Sequence, residues 1–168
     1  MDDDFEIQAP QVARSVYIIQ GAMAAGLAFF SLAVFYIRFV GVHSPPARDP
    51  EPLIRLFSVA HAVLAVSAWT ASGLIYQTIL RKPSGSLPAA FQTAEIARLA
   101  CREGPAIFGL VVCFLAASDG LLAAKPVYWC NMFSAGAFWG FVLQNVLLEE
   151  RLRELRRLRT SAPDVPPA

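Results

Sequence analysis

Four stretches of this chain are free of charge for long enough to settle its class. Between Arg14 and Arg38, and again between Arg55 and Arg81, there is no Asp, Glu, Lys or Arg, and residues 104–118 and 127–148 are equally free of them. A helix needs roughly 20 apolar residues to cross the hydrocarbon core of a bilayer. The first, second and fourth stretches exceed that. The third reaches it only by running past Asp119 to Ala124 or by starting ahead of Glu103. The chain is 56% hydrophobic and 16% charged, more apolar than an ordinary soluble domain, and its charges are gathered between the stretches. In hydrocarbon a helix satisfies its own backbone. The sequence therefore predicts an all-α bundle of four transmembrane helices, at about 15–37, 53–80, 101–122 and 127–148, within a membrane domain of residues 14–148.

The flanks complete this plan. Residues 1–13 read as a short polar tail that begins Met1-Asp2-Asp3-Asp4. A secretory signal would start basic and carry a shorter apolar core, so the first stretch reads as a retained anchor. Ser44-Pro45-Pro46 and Asp49-Pro50-Glu51-Pro52 break the chain after the first span, and Arg81 to Pro88 after the second. An amphipathic helix from about Phe91 feeds the third span, and Pro126 suits the first turn of the fourth. Lys and Arg set the orientation. Arg14, Arg81, Lys82, Arg98, Arg102, Arg151, Arg153, Arg156, Arg157 and Arg159 fall on one side, against Arg38, Arg48, Arg55 and Lys125 on the other. Both termini are expected in the cytoplasm, with the protein in the cell (inner) membrane.

Past the fourth span, residues 149–160 read as a basic helical extension. Leu148, Leu152, Leu155 and Arg159 recur at helical spacing, and Glu149 stands four residues before Arg153. The extension is a solvated helix end, a contact with a partner helix, or a collar on anionic lipid through Arg151, Arg153, Arg156, Arg157 and Arg159. A collar would gain roughly 1 kcal/mol per basic residue. Residues 161–168 are expected to be disordered.

The chain also nearly repeats itself. Displaced by 83 residues, the first span meets the third: Gln20 on Glu103, Gly21 on Gly104, Gly26 on Gly109, Leu27 on Leu110, Leu32 on Leu115 and Ala33 on Ala116. Displaced by 67, the second meets the fourth: Ser67 on Ser134, Ala68 on Ala135, Gly73 on Gly140, Gln77 on Gln144 and Leu80 on Leu147. A duplicated helical hairpin, its copies related about the membrane normal, is the expected architecture.

Glu103 is the leading candidate for chemistry, because an acid at the head of a membrane span marks a site by default. Pro105 cannot donate to the carbonyl of Cys101, which leaves a free acceptor and a bend beside the acid. Gly104 and Gly109, like Gly21 and Gly26, let a neighbouring helix approach closely. Together these features could bind a proton or a cation, with Gln20 as the silent counterpart. Two other readings remain open. Glu95, Arg98, Arg102 and Glu103 could form an interfacial charge belt, or Glu103 could make a structural buried hydrogen bond. Glu103 and Asp119 are sixteen residues apart, about 24 Å along a helix, so at least one lies in or very near the core.

His61 shares a face with Ala65, Ala68 and Ser72 and is expected to pack against a neighbouring helix. The other histidine, His43, falls in a loop, so no haem pair forms. Gln77 and Gln144 read as interhelical hydrogen-bonding groups. Cys101, Cys113 and Cys130 are odd in number and hold no Cys-x-x-Cys pair, which excludes a thiol oxidoreductase and favours buried thiols. No nucleotide loop, zinc motif or nucleophile–base pair is present. No enzyme activity, cofactor, metal or nucleic-acid partner is expected.

From Ala60 to Leu115 the chain resembles the proteolipid (c-type) subunits of rotary ATPases. The small residues Ala60, Ala62, Ala65, Ser67, Ala68, Ala71, Ser72 and Gly73 stand where that family has its small-residue helix. Arg81-Lys82-Pro83 matches its polar loop, and Glu103 ahead of Ala106-Ile107-Phe108-Gly109-Leu110-Val111 matches its ion-binding carboxylate. The alternating glycines of the family's first helix are absent, Pro105 departs from its pattern, and Arg98 and Arg102 crowd an acid it places near mid-membrane. The resemblance implies a proton- or cation-binding subunit with Glu103 as carrier. The residues alone point first to a structural or assembly component of the membrane, packed against copies of itself or within a larger complex.

Overall fold

The computed structural model describes residues 2–41, 49–81 and 86–161, and within them every long element is helical. The first three are α1 (Asp2–Val40), α2 (Glu51–Arg81) and α3 (Leu87–Ser118). Then come a single turn α4 (Leu121–Ala124), a 3-10 segment (Pro126–Met132), α5 (Phe133–Gln144) and α6 (Leu148–Ser161). Three helices are long and apolar enough to cross a membrane: Phe5–Val40, Glu51–Arg81 and Leu87–Ser118. His43, the Ser44-Pro45-Pro46 breaker, the Lys82-Pro83 pair and nearly all of the 161–168 tail lie outside the described residues.

α3 is the central helix. α1, α2 and α5 pack on it, and so do the short elements between α3 and α5. Its buried side chains are small where neighbours come closest, with Ala90, Ala94, Ala106, Gly109, Ala116 and Ala117 among them. Small side chains let helix backbones approach, the main source of packing energy where lipid gives no hydrophobic drive. α1 meets α3 along one stripe: Ala9, Ala13, Val16, Gln20, Ala24 and Leu27 are all buried at three- and four-residue spacing. α2 lies along α3 even more extensively than α1 does, yet fully buries only Ile54, His61 and Ser72.

Two boundaries differ from the sequence reading. Residues 2–13, read as a polar tail, continue α1 without a break despite Pro10. Phe5, Ala9 and Ala13 supply the reason, since they pack with Leu148 and Leu152 of α6 in one apolar cluster. The run 127–148, read as one helix, is three pieces: the 3-10 segment, α5, and a break at residues 145–147 before α6. The side chains of α1 account for the break. Gln20 Nε2 donates to the Val142 carbonyl at 2.9 Å. The Tyr17 hydroxyl donates to the Val146 carbonyl and accepts from the Leu148 N–H at 3.0 Å. Interrupted backbone groups must find partners, and here two residues three apart on α1 provide them.

α3 starts cleanly, with the Ser86 hydroxyl accepting from the Ala89 N–H at 3.4 Å and Pro88 in the first turn. At the opposite end of the bundle Lys125 donates to Glu51, tying the turn before the 3-10 segment to the start of α2. That hydrogen bond holds the Lys125 ammonium above the usual lysine range.

Candidate functional site

The side chains able to do chemistry gather in two buried clusters, and Glu103 belongs to neither. The first is ionic and joins α2, α3, α5 and α6. Glu95 on α3 is fully buried, and its Oε2 accepts from Arg98 Nη2 at 2.6 Å. Arg98 Nη2 also donates to Asn145 Oδ1 at 3.0 Å, and Arg151 Nη1 donates to the same oxygen at 2.6 Å. Arg151 lies 3.5 Å from Glu95 Oε1 as an ion pair, although Oε1 has no hydrogen bond of its own. Asn145 Nδ2 completes the chain to Gln20 Oε1 at 3.3 Å.

Aromatic rings wall this cluster. The Arg98 guanidinium sits 4.6 Å from the Tyr76 ring centre and 4.7 Å from that of Phe141. Arg102 lies over Trp69 at 4.5 Å and over the other part of the same wall, Phe141, at 3.9 Å. Its Nε donates to Ser72 at 3.2 Å. The quadrupoles of these rings attract guanidinium and replace part of the hydration lost on burial. Glu95 and Arg98, legible as half of a surface charge belt, are thus interior. Their spacing of three residues is what a solvated helix face would also show, so only the packing around them separates the two cases.

The second cluster surrounds His61, on the α2 face that meets the 3-10 segment. Its Nδ1 is 3.0 Å from Asn131 Oδ1 and its Nε2 is 2.8 Å from Ser134 Oγ. Asn131 Nδ2 donates to Ser58 Oγ at 2.9 Å and to the Tyr128 carbonyl at 3.0 Å, which leaves Oδ1 as the acceptor for a proton on Nδ1. Ser134 Oγ also lies 3.2 Å from the Pro105 carbonyl. A neutral ring therefore accepts the serine proton at Nε2. A charged ring donates there instead, as the serine turns to Pro105. Beside this cluster a groove of about 600 Å³ opens sideways between α2 and α5, with Ser58, His61, Ala65, Trp69, Asn131 and Phe133 among its lining.

The residues singled out from the sequence are scattered. Gln20 is buried and doubly bonded, to Val142 and Asn145. Glu103 is half-buried and makes no hydrogen bond or ion pair among the described residues. The two positions that the repeat equates thus lie in different surroundings. So do Ser67, exposed and bonded back to Val63, and Ser134, buried against His61. Of the four glycines, Gly109 stands at a close approach: a Cβ there would lie 2.1 Å from the Asn131 carbonyl oxygen and 2.7 Å from His61 Nε2. At Gly21, Gly26 and Gly104 a Cβ would meet nothing within 4 Å.

In the basic extension, Arg151 turns inward to Asn145, whereas Arg153 and Arg156 reach Glu6 on α1, at 3.8 Å and 3.1 Å. Arg157 is exposed, and the Arg159 side chain lies outside those described. Cys113 is buried and points its Sγ at the Tyr128 carbonyl, Cys101 is half-buried and Cys130 exposed. No group of three His, Cys, Asp or Glu among the described residues is placed to hold a metal ion.

Tyr17, Asn131 and Asn145 escape a reading by motif. Their one signal is a polar side chain inside an apolar run, which in a membrane marks a residue that must be paired within the bundle. Comparison of the chain with protein-family models, with curated proteins and with solved structures finds no match in any of the three.

Proposed function

We propose that this chain is a four-span protein of the cell (inner) membrane, both termini cytoplasmic, that serves as a structural or assembly component by helix packing. One observation carries the reading. Opposite its thin buried face, α2 exposes Leu56, Ala60, Val63, Ser67, Thr70 and Leu74, alternately four and three residues apart. That 3.5-residue repeat of apolar and small side chains is the seam by which parallel or antiparallel membrane helices pair. A fourth crossing is supported by length. Seven 3-10 residues and twelve α-helical ones rise about 14 Å and 18 Å, together about 32 Å, enough for the core. The ten-to-four division of Lys and Arg supports the orientation. Of the basic extension, the exposed Arg153 and Arg157 support a cytoplasmic contact with anionic lipid, whereas Arg151 turns inward to Asn145.

With the three native cysteines replaced, Val63→Cys is expected to cross-link in native membranes, to a second copy or to a partner of different mass. Ser67→Phe should weaken that link. A chain that is monomeric by mass in nanodiscs and gives no cross-link from Val63→Cys has no use for the seam, and the reading fails.

A second reading makes the chain a proteolipid-like subunit with Glu103 as its proton or cation carrier. What favours it is a half-buried carboxylate with no partner among the described residues. A hydrophobic carbodiimide, which attacks protonated carboxyls in lipid, is expected on this reading to add one label per chain. Glu103→Gln should abolish the label and leave folding intact. Absence of label at any pH in native membranes removes the carrier role.

A further inference from the structure

The ionic cluster is not neutral. Three guanidiniums, those of Arg98, Arg102 and Arg151, converge with one carboxylate, that of Glu95. Glu95 is used by Arg98 and Arg151, and Arg102 has no acid partner among the described residues. Phe141 holds Arg98 and Arg102 together against one ring. Arg98 Nε is buried with no hydrogen-bond partner. Like charges repel where water is scarce, and the cluster carries more positive charge than Glu95 balances.

None of the three arginines lines the lateral groove itself, and Trp69 is what joins the cluster to it. Trp69 is both a wall of the groove and the ring on which Arg102 rests. From Ser58 to Trp69 the groove follows eleven residues of α2, about 16 Å at 1.5 Å each. Ala62, Ala65, Val66, Phe133 and Ala137 give the lining between an apolar surface, and the polar residues that also line it, His61, Asn131 and Ser134, spend their polar atoms on one another. Depth also fits. From Arg55 to Tyr76 α2 rises about 32 Å, close to the thickness of a hydrocarbon core. Tyr76 touches Arg98 and Arg151, so the positive field sits at one edge of that band and the groove runs inward from it. An apolar slot below a cationic edge is complementary to one class of molecule, an amphiphile with an anionic head.

We propose that the cleft between α2 and α5 holds one anionic phospholipid, its phosphate on Arg102 within the field of Arg98 and Arg151, and one acyl chain along the groove. The inference rests on the chain spanning the membrane and not on the assembly seam, which lies on the far face of α2. Arg102 offers a planar fork matched to phosphate oxygens, and Trp69 and Phe141 fix its plane. The lipid supplies the negative charge that Glu95 alone does not.

The full chain is purified in mild detergent, stripped of lipid and placed in nanodiscs of phosphatidylcholine with a minor share of phosphatidylglycerol. Retained lipid is then read by native mass spectrometry after release. One phosphatidylglycerol per chain is expected, and Arg102→Gln should lower its retention at least about fivefold. Arg14→Gln, at an exposed position of α1 outside both the cleft and the basic extension, should not. Ala62→Phe fills the groove from its exposed wall, keeps every charge, and is expected to lose the lipid as well. This second variant decides the matter should Arg102→Gln fail to fold. Equal retention of the two lipids, or retention unchanged in Ala62→Phe, overturns the proposal. Displacement of the lipid by millimolar inorganic phosphate alone would show a simple anion site and also overturn it.

Discussion

Replacing Glu95 by alanine is expected to destabilise the fold by about 3–5 kcal/mol, the range for removing one partner of a buried ion pair. Glu95 is fully buried and is the only acid that the structure gives to Arg98 and Arg151 among the described residues. Without it the Arg98 guanidinium remains buried without its acid and is repelled by Arg102 and by the half-exposed Arg151. Glu95→Gln keeps the shape and one acceptor but loses the charge, so most of the loss should persist. Removing the positive partner too, as Glu95→Leu with Arg98→Met, should be less damaging than the two single changes added together, because the apolar pair strands one buried charge fewer and leaves only the half-exposed Arg151 without its acid. Denaturant unfolding in detergent micelles checks all of these. A loss below about 1 kcal/mol in Glu95→Ala would be the behaviour of a solvated pair and would contradict the interior placement.

Gly109→Ala is the second large effect. The added Cβ would press on the Asn131 carbonyl oxygen, which is backbone and cannot swing aside, and on the His61 ring. Forcing a methyl into such a contact costs typically about 1–3 kcal/mol. It should also move His61 away from Ser134. The same change at Gly21, Gly26 or Gly104 meets open space. Each of those should be neutral or stabilising by up to about 1 kcal/mol, since alanine is the better helix former. Melting temperatures of the four variants in one detergent make the comparison. A Gly109→Ala protein as stable as the parent would mean that the 3-10 segment does not lie against α3.

Those four glycines show what sequence could and could not carry. Glycine in a membrane helix marks possible close approach, and nothing local to Gly109 distinguishes it from Gly104. The difference is a carbonyl oxygen from a segment 22 positions away. The long apolar runs of α1, α2 and α3 were legible because hydropathy alone decides them. The break at residues 145–147 was not, since Asn145-Val146-Leu147 contains no proline or glycine. It exists because Tyr17 and Gln20 take up the backbone groups it frees. Glu95 and Arg98 were visible as charges three apart, but their burial depends on Tyr76 and Phe141, which no local pattern connects to them. Glu103 stood out for its position, and the structure gives it the plainest surroundings of the group.

The bond from Gln20 to Val142 spans 122 residues, and that from Tyr17 to Val146 spans 129. As the chain emerges from the ribosome, α1 therefore waits until almost the end of synthesis for Val142 and Val146, and the Val142 carbonyl then accepts from the nearby Asn145 N–H as well. Any chaperone or insertase holding the nascent protein must leave that flank of α1 free until synthesis is nearly done. The bundle closes like a clasp whose two halves are made at opposite ends of translation, and a chain stalled before Val142 has nothing to fasten.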